Sequence, residues 1–414
     1  MRQHLDDLAE ATPANRDRYV DFLRAASILA VVIGHWMIAI VHWRDGLIRT
    51  TSVIGVTPGL WIATWFLQVM PIFFFVGGFS NLVAYDSFRR RGESTWEFIR
   101  SRIRRLLYPS LVFLSVWVVV QTVLHLADIG MPRGPVLWGE TRLLRGMSPP
   151  AATVPFGPLW FLLVYLVVVT ISPLTIWLHR RFRWWVPAIF LVGAVVVDAI
   201  GFGTGRRWVR FLNVPFTLLL PNQLGHFYAD GTLTRLPRKV FWAMATGGLL
   251  LLVILTNPPL FQGLGEEARF RWFPTIGHYP RATLGTDVEP ISNAYPPTLV
   301  FLAVGIWTIG AVMLLRDRIS RWLEQPRPWK GVVLANSRIM TIFLWHMTAF
   351  LLAILVLWPL GLGRVEGGSL AWWLGRPAWV AVSGLFLAGI IVVVGRFERP
   401  GARRTERLAR RGLG

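Results

Sequence analysis

The sequence predicts an all-α integral membrane protein, a bundle of about ten transmembrane helices with both termini in the cytoplasm. Of the 414 residues, 54% are hydrophobic and 16% are charged, whereas soluble globular proteins average about 45–50% apolar and about 25% charged residues. The chain has 43 Lys and Arg against 22 Asp and Glu. These cations lie in short clusters between long apolar runs, which is typical of a multi-pass membrane protein and argues against nucleic-acid binding.

Ten apolar runs are long enough to cross a bilayer, since a spanning helix needs about 20 such residues. They lie at about 20–42, 59–84, 106–127, 158–178, 184–201, 211–229, 240–257, 297–315, 338–360 and 377–395. The sixth run is the least regular because six residues interrupt it: Asn213, Pro215, Pro221, Asn222, Gln223 and His226. Such interruptions are typical of helices that are broken or that line a cavity.

The distribution of cations predicts the orientation, because loops rich in Arg and Lys stay in the cytoplasm. Counted over alternating loops, 29 cations fall on one side and 13 on the other, and the remaining one, Arg24, lies within the first run. The richer side includes both termini, which agrees with an even number of helices. We therefore expect a cytoplasmic arm at 1–19, a transmembrane domain at 20–395 with an outer loop at about 257–297, and a basic cytoplasmic tail at 396–414.

The first run carries three ionisable residues, Asp21, Arg24 and His35. At about 100° per residue, Asp21 and His35 differ by about 40° around a helix axis, so all three share one face. Along the axis, however, these two residues are separated by about 21 Å, which is too far for a hydrogen bond. We expect Asp21 to pair with Arg24 or Arg18 instead.

His35 is the leading candidate for a catalytic base. A histidine about 15 residues into a span is costly unless it lines a polar cavity, so it marks a functional site by default. The ordinary pKa of imidazole also suits a general base at neutral pH. The alternative is a histidine that only forms a hydrogen bond between packed helices.

Two further segments contain residues that could contact a ligand or a neighbouring helix. Gly77 and Gly78 allow a helix or a ligand to approach closely. Arg102 and Arg105 are i, i+3 neighbours, and two guanidinium groups at this spacing can grip a phosphate, although they also fit plain topological signalling.

Two isolated residues complete the candidates. Trp160 fits an interfacial aromatic belt, and His346 fits an interhelical hydrogen bond. The chain has no cysteine, so it has no thiolate nucleophile and no thiolate metal site.

Together these segments resemble the acyltransferase-3 family of integral membrane O-acyltransferases. The resemblance covers residues 18–395 in order and spacing. Gly77 departs from it, because the family usually has serine there. The matching residues are Asp21, Leu23, Arg24 and His35; Gly78 and Phe79; Arg102, Arg105 and Pro109; Leu159, Trp160 and Phe161; Leu344 and His346.

The resemblance implies an enzyme of the inner (plasma) membrane that moves an acyl group, acetyl or another short acyl, from acyl-CoA to a hydroxyl. The acceptor would be a glycan or glycolipid of the cell envelope, or a secreted glycoside. His35 would be the base, His346 would position the thioester or replace the base, and Arg102, Arg105 and Arg24 would hold CoA. Asp21, Gly78, Phe79 and Trp160 would be structural motif residues. We expect no metal and no permanently bound cofactor.

Two alternatives stay open at this point. Without a cysteine or a convincing serine elbow, direct transfer is favoured over an acyl-enzyme, but an acyl-histidine remains possible. A transporter or flippase of a lipid-linked glycan or small molecule would also need polar groups inside the membrane, a broken sixth helix and cytoplasmic arginines. Inverted repeats would favour that function, and none is visible in the sequence.

Overall fold

The computed structural model describes residues 16–44, 47–126, 154–257, 279–284 and 293–398. These residues form α-helices and one two-stranded antiparallel sheet, with strands β1 Ala39–Arg44 and β2 Leu47–Ser52. The helices are α1 Arg18–Ile38, α2 Trp61–Leu67, α3 Met70–Arg90, α4 Thr95–Leu126, α5 Leu159–Thr170, α6 Ser172–Phe182, α7 Trp185–Gly203, α8 Arg207–Arg210, α9 Asn213–Ala229, α10 Arg238–Thr256, α11 Leu299–Trp322, α12 Pro326–Ser337, α13 Ile339–Leu357 and α14 Leu370–Val394.

The predicted class of a helical multi-pass membrane protein is confirmed, and each of the ten apolar runs contains a helix. In the described part of the chain, eight helical segments are long and apolar enough to cross a membrane, and the bent pair α5 and α6 brings the number to nine. The helix of the sixth run, α9, has 17 residues, fewer than any of those eight segments, and buries several polar side chains. Composition therefore places the helices, whereas the number of full spans differs from a simple count of apolar runs.

The prolines of the sixth run do not break it, because α9 is continuous from Asn213 to Ala229 with Pro221 inside. Pro215 lies in the first turn, where a missing N–H removes no intrahelical hydrogen bond. The break occurs in the fourth run instead, where α5 and α6 meet at 53°. Ser172 and Pro173 start α6 there, since proline is favoured at the first positions of a helix.

Two predicted boundaries are wrong by several residues. The helix of the third run, α4, begins at Thr95 and not near 106. Ser94 and Glu97 form a capping box, in which the backbone N–H of each residue donates to the side chain of the other at 2.6 and 3.1 Å. Arg102 and Arg105 consequently lie within a helix, not in a loop before it.

The first predicted span also ends earlier than expected. Helix α1 stops at Ile38, and the apolar residues that follow form strand β1, which pairs with β2 in a hairpin from Ala39 opposite Ser52 to Arg44 opposite Leu47.

The described chain divides into two compact units, one of 16–30, 54–99 and 167–333 and the other of 31–44, 47–53, 100–166 and 334–398, within the described ranges. The first is called the large unit and the second the small unit below.

The core of the large unit is built on close contact between α3 and α9. A Cβ atom on Gly78 would overlap the backbone oxygen of Asn222, and one on Gly225 would overlap the backbone oxygen of Phe75. Small residues at this spacing let the two backbones touch, as in other membrane helix pairs. Around this contact lie fully buried side chains, among them Phe75, Phe227, Leu252, Val300 and Leu302.

The small unit contains α13 and α14 as an antiparallel pair. The first turn of α13 meets the end of α14, where Arg338 donates to the backbone oxygen of Gly395 and Thr341 donates to Glu398 at 2.7 Å. Farther along, the rings of Phe350 and Trp379 pack with centroids 5.5 Å apart. This pairing fixes which residues of α14 lie beside α13.

Some predicted regions lie outside the described residues: the arm before residue 16, the tail after residue 398 and most of the outer loop. Within that loop, residues 279–284 and 293–298 are described. Tyr279 donates to Asp198 at 3.0 Å, and the backbone N–H of Thr283 donates to Thr64 at 3.0 Å. Both contacts attach the first of these pieces, 279–284, to helices α7 and α2 of the large unit.

Candidate active site

The small unit brings the two predicted catalytic histidines together. His35 lies near the end of α1 and His346 in the middle of α13, and their ring centroids are 5.2 Å apart. His346 is fully buried, whereas His35 is half-buried. Both were singled out from the sequence separately, and their pairing is a product of the fold.

Hydrogen bonds to the backbone fix the tautomers of both rings. Nδ1 of His35 lies 2.7 Å from the carbonyl oxygen of Val31, and Nδ1 of His346 lies 2.6 Å from that of Phe343. A carbonyl oxygen only accepts, so each Nδ1 must carry the hydrogen. In the neutral rings each Nε2 is then an unprotonated acceptor. Among the described residues, Nε2 of His346 has no hydrogen-bond partner.

Tryptophan side chains hold α13 in place around His346. The indole of Trp36, the residue after His35, donates to the backbone oxygen of His346 at 3.0 Å. The indole of Trp117 on α4 donates to Thr348 at 3.1 Å. The positions of both histidines are thus set by hydrogen bonds from neighbouring helices as well as by packing.

The Leu-Trp-Phe motif of α5 reaches the same region through its last residue. Phe161 packs edge-on against Phe343, with ring centroids 5.7 Å apart, and Phe343 lies one turn before His346. Trp160 itself is half-buried and packs against Phe161. The motif therefore contributes an aromatic support for the helix that carries His346.

The predicted ion pair of Asp21 is confirmed in the large unit. Arg24 donates to Asp21 at 2.9 Å, and Arg16 is the second cation on this buried carboxylate. Arg18, the other candidate, instead donates to the backbone oxygen of Leu323 at 3.1 Å. Arg24 also donates to Ser80 at 2.6 Å, which links it to the segment after Gly78 and Phe79.

Gly78 and Phe79 lie on α3, in the contact with α9. Gly78 meets the backbone of Asn222, and the ring of Phe79 packs edge-on against Tyr228 with centroids 5.6 Å apart. Both residues therefore lie in a packing contact between two helices of the large unit.

Arg102 and Arg105 lie one turn apart on α4. Arg102 is half-buried and Arg105 is exposed, and both belong to the small unit. Later on the same helix, Phe113 packs edge-on against Trp345, the neighbour of His346, with ring centroids 5.1 Å apart. The helix that presents the arginine pair thus also contacts the helix of the second histidine.

A second polar cluster in the large unit was not recognised from the sequence. Asp230 accepts from Nε2 of His179 at 3.1 Å, so Nδ1 of His179 accepts from Gln223 at 2.7 Å. The oxygen of Gln223 in turn accepts from Nδ1 of His226 at 3.1 Å. These bonds explain why Gln223 and His226 of the sixth run are buried: they form an ordered chain of hydrogen bonds that joins α6 to α9.

Asp230 is held as a carboxylate at the partly exposed end of this cluster. Burial alone would raise its pKa, but hydrogen bonds from Thr232, Arg183 and His179 outweigh burial and lower the pKa below the ordinary range. Arg183 donates at 2.6 Å and the backbone N–H of Thr232 at 2.9 Å. The sequence contains a signal for this contact, because an acidic residue, Asp230, directly follows α9 and a basic residue, Arg183, directly follows α6.

The comparison with protein families agrees with these motifs. A sequence model of the acyltransferase domain of the acyltransferase-3 family matches residues 17–395, nearly the whole chain. No curated protein and no solved structure matches the chain. A match of this extent shows the family: the chain belongs to the acyltransferase-3 family and is a membrane acyltransferase.

Proposed function

We propose that the protein transfers an acyl group, acetyl or another short acyl, from acyl-CoA to a hydroxyl of a cell-envelope glycan, a glycolipid or a secreted glycoside. The observation that carries the proposal is the pair formed by His35 and His346. Their rings are 5.2 Å apart, and each ring presents an unprotonated Nε2 because its Nδ1 is bound to the backbone. A fixed basic nitrogen that can take up the proton of a hydroxyl activates the oxygen of that hydroxyl to attack a carbonyl carbon.

His35 is the proposed general base. The acceptor hydroxyl attacks the thioester carbonyl, its proton passes to Nε2 of His35, and a new C–O bond forms. The C–S bond then breaks, and CoA leaves as a thiolate that takes up a proton. His35 suits this role better than His346 because it is half-buried, whereas His346 is fully buried.

The tautomer of His346 restricts which role this side chain can have in the reaction. A neutral ring with hydrogen on Nδ1 has no hydrogen on Nε2 to donate to a thioester carbonyl. Of the two roles that the sequence suggested, the geometry therefore favours a second base, or an acceptor for the substrate hydroxyl, over direct polarisation of the thioester. Transfer without an acyl-enzyme is the simplest reaction for such a pair.

Arg102 and Arg105 are the proposed contacts to the phosphates of the donor. They lie one turn apart at the start of α4, where two guanidinium groups can bind phosphate oxygens together. Arg24 is less suited, because its guanidinium already donates to Asp21 and Ser80. A phosphate at Arg24 would have to share the group with a buried carboxylate.

We further propose that the protein lies in the inner (plasma) membrane with both termini in the cytoplasm, which places Arg102 and Arg105 on the side of cytoplasmic acyl-CoA. The support is the excess of cations, 29 against 13, on the loops of that side. Reporter fusions after residues 280 and 405 test the orientation. We expect an external reporter at 280 and a cytoplasmic one at 405, and the reverse would contradict the proposal.

The acceptor class is tested by comparing cells with and without the gene. Envelope glycans and secreted glycosides from both are compared by mass, and we expect one class to lose the mass of an acyl group when the gene is absent. The purified protein is then given acetyl-CoA, and free CoA thiol is measured. Unchanged glycan masses together with no release of thiol would contradict the proposed function.

The structure also weakens the case for a transporter. A transporter would need a broken sixth helix, whereas α9 is continuous.

A further inference from the structure

Arg376 is a buried arginine in the first turns of α14. Only 1% of its surface is exposed, although it belongs to a helix that is apolar enough to span a membrane. Within the described residues, no carboxylate lies within ion-pair distance of its guanidinium. An arginine in such a position is costly, and this kind of residue is retained mainly where it has a function.

The guanidinium binds the end of the helix that carries His35. Nη1 of Arg376 donates to the backbone oxygen of Ala39 at 3.0 Å and, more weakly, to that of Trp36 at 3.4 Å. Helix α1 ends at Ile38, so these carbonyl groups belong to the stretch where intrahelical partners run out. A cation at this point also faces the negative end of the helix dipole.

Two tryptophans fix the direction of the guanidinium. Its central carbon lies 3.9 Å from the ring centroid of Trp372 and 5.0 Å from that of Trp379, both on α14. A planar guanidinium stacked on an aromatic face keeps its N–H groups aimed in one direction, which a flexible lysine does not do. The contact of Arg376 with the carbonyl groups of Trp36 and Ala39, called the clamp below, therefore has a fixed direction that a lysine would reproduce only in part.

The residue that Arg376 holds is also the residue that orients the second histidine. Trp36 is buried, and its indole donates to the backbone oxygen of His346 at 3.0 Å. Arg376 thus fixes the backbone one residue after His35, and the hydrogen bond from the indole of Trp36 then fixes α13 relative to α1. Loss of the clamp would let the two imidazole rings move relative to each other.

We infer that Arg376 is a positioning residue for the pair formed by His35 and His346, acting through the carbonyl groups of Trp36 and Ala39. This inference rests on the proposed role of His35 as the base. Arg376 itself touches neither histidine side chain in the contacts described. A displacement of about 1 Å in a reacting group can slow a reaction about 100-fold. Loss of the clamp is therefore expected to lower the rate of acyl transfer strongly.

A double-mutant cycle separates positioning from simple stabilisation of the fold. The rate of CoA thiol release from labelled acetyl-CoA is measured for Arg376→Met in the full-length protein, once with His35 and once with His35→Ala. If Arg376 acts by placing His35, its loss lowers the rate about 10–100-fold with His35 present and less than about 2-fold when His35 is already absent. Arg376→Lys should recover part of the loss, because it keeps a cation near the carbonyl groups.

Arg210→Met is the matched control. Arg210 is also a buried arginine over an aromatic ring, 4.5 Å from the centroid of Phe202, but it belongs to the large unit. Its removal should lower the rate by the same factor with and without His35, which is the pattern of a purely structural residue. If Arg376→Met does not yield a folded protein, Trp36→Phe replaces it, because it removes the hydrogen bond to His346 and should show the same dependence on His35.

The outcomes distinguish this inference from the proposed function. If Arg376→Met lowers the rate by the same factor in both backgrounds, as the control does, the inference is wrong while the role of His35 stands. If His35→Ala alone leaves the rate unchanged, the proposed base is wrong, and the positioning role of Arg376 falls with it.

Discussion

The imidazole rings of His35 and His346 lie with their centroids 5.2 Å apart, although the two residues come from opposite ends of the chain. Each ring is anchored through Nδ1 to a carbonyl of its own helix, at Val31 and Phe343. The pair is also the feature on which the proposed chemistry depends.

The close contact of α3 and α9 predicts that Gly78→Ala destabilises the protein. The new methyl group would overlap the backbone oxygen of Asn222, and backbone atoms of packed helices cannot move aside as a flexible side chain can. We expect a loss of at least about 1–3 kcal/mol in unfolding free energy, the usual range for overpacking. Thermal unfolding of the purified protein measures it.

Gly247→Ala is the control for this substitution. Gly247 also lies in a helix, α10, but a Cβ atom there would meet no neighbouring atom within 4 Å. Its replacement should be neutral or slightly stabilising, because alanine favours a helix over glycine. Equal melting temperatures for the two alanine variants would show that the contact at Gly78 is not tight.

The arginine pair on α4 predicts a specific loss of donor affinity. Replacing Arg102 and Arg105 together with Gln should weaken binding of acetyl-CoA about 10-fold or more, because charge-assisted hydrogen bonds to phosphate are lost. Equilibrium binding to protein in detergent measures the affinity. The control replaces Arg100 and Arg104 with Gln, which removes two charges from the same helix outside the motif. Equal affinities for the two double variants would show that Arg102 and Arg105 do not bind the donor and only help to set the orientation of the protein in the membrane.

The lowered pKa of Asp230 predicts a pH-dependent contribution to stability. Because its pKa is lower in the folded protein than in the unfolded chain, the charged carboxylate stabilises the fold above the unfolded value, ordinarily 3.8. That contribution is lost as pH falls through the folded pKa. Asp230→Asn should therefore melt about 1–2 °C below the wild type at pH 7, and the difference should shrink below pH 3.8.

Asp317→Asn provides the comparison for this carboxylate. Its side chain is 69% exposed and its arginine partners lie 3.9 Å away, so its ion pairs should contribute almost nothing. A pH-independent gap between Asp230→Asn and the wild type would show that the charge of Asp230 is not what stabilises the cluster.

The sequence was sufficient to place the helices because apolar runs of spanning length are a strong signal in any context. It placed the ends less well, for reasons visible in particular residues. Around Arg102 the charges were interpreted as a loop, although the Ser94 and Glu97 spacing of a capping box was present. At Ala39 an apolar run continued while the backbone changed from helix to strand, and hydrophobicity alone does not distinguish the two.

The residues of the candidate site could be predicted one by one, but their arrangement could not. His35, His346 and the ion pair of Asp21 with Arg24 could be identified because polar groups stand out in apolar runs. Their mutual distances depend on how the helices pack, which no local pattern records. The sequence does not single out Arg376, because the predicted last span begins at residue 377 and leaves the arginine in a loop. In the structure Pro377 lies inside α14.

The most direct test of the account is the rate of acetyl-CoA thiol release, or of acyl transfer to the identified acceptor, by His35→Gln. Glutamine keeps a polar side chain of similar reach but cannot accept the proton at neutral pH. We expect a folded protein that still binds acetyl-CoA and whose rate is lower by about 10²–10⁴-fold, the range for loss of a positioned general base. A stable His35→Gln protein with the wild-type rate would contradict the central claim that His35 is the base.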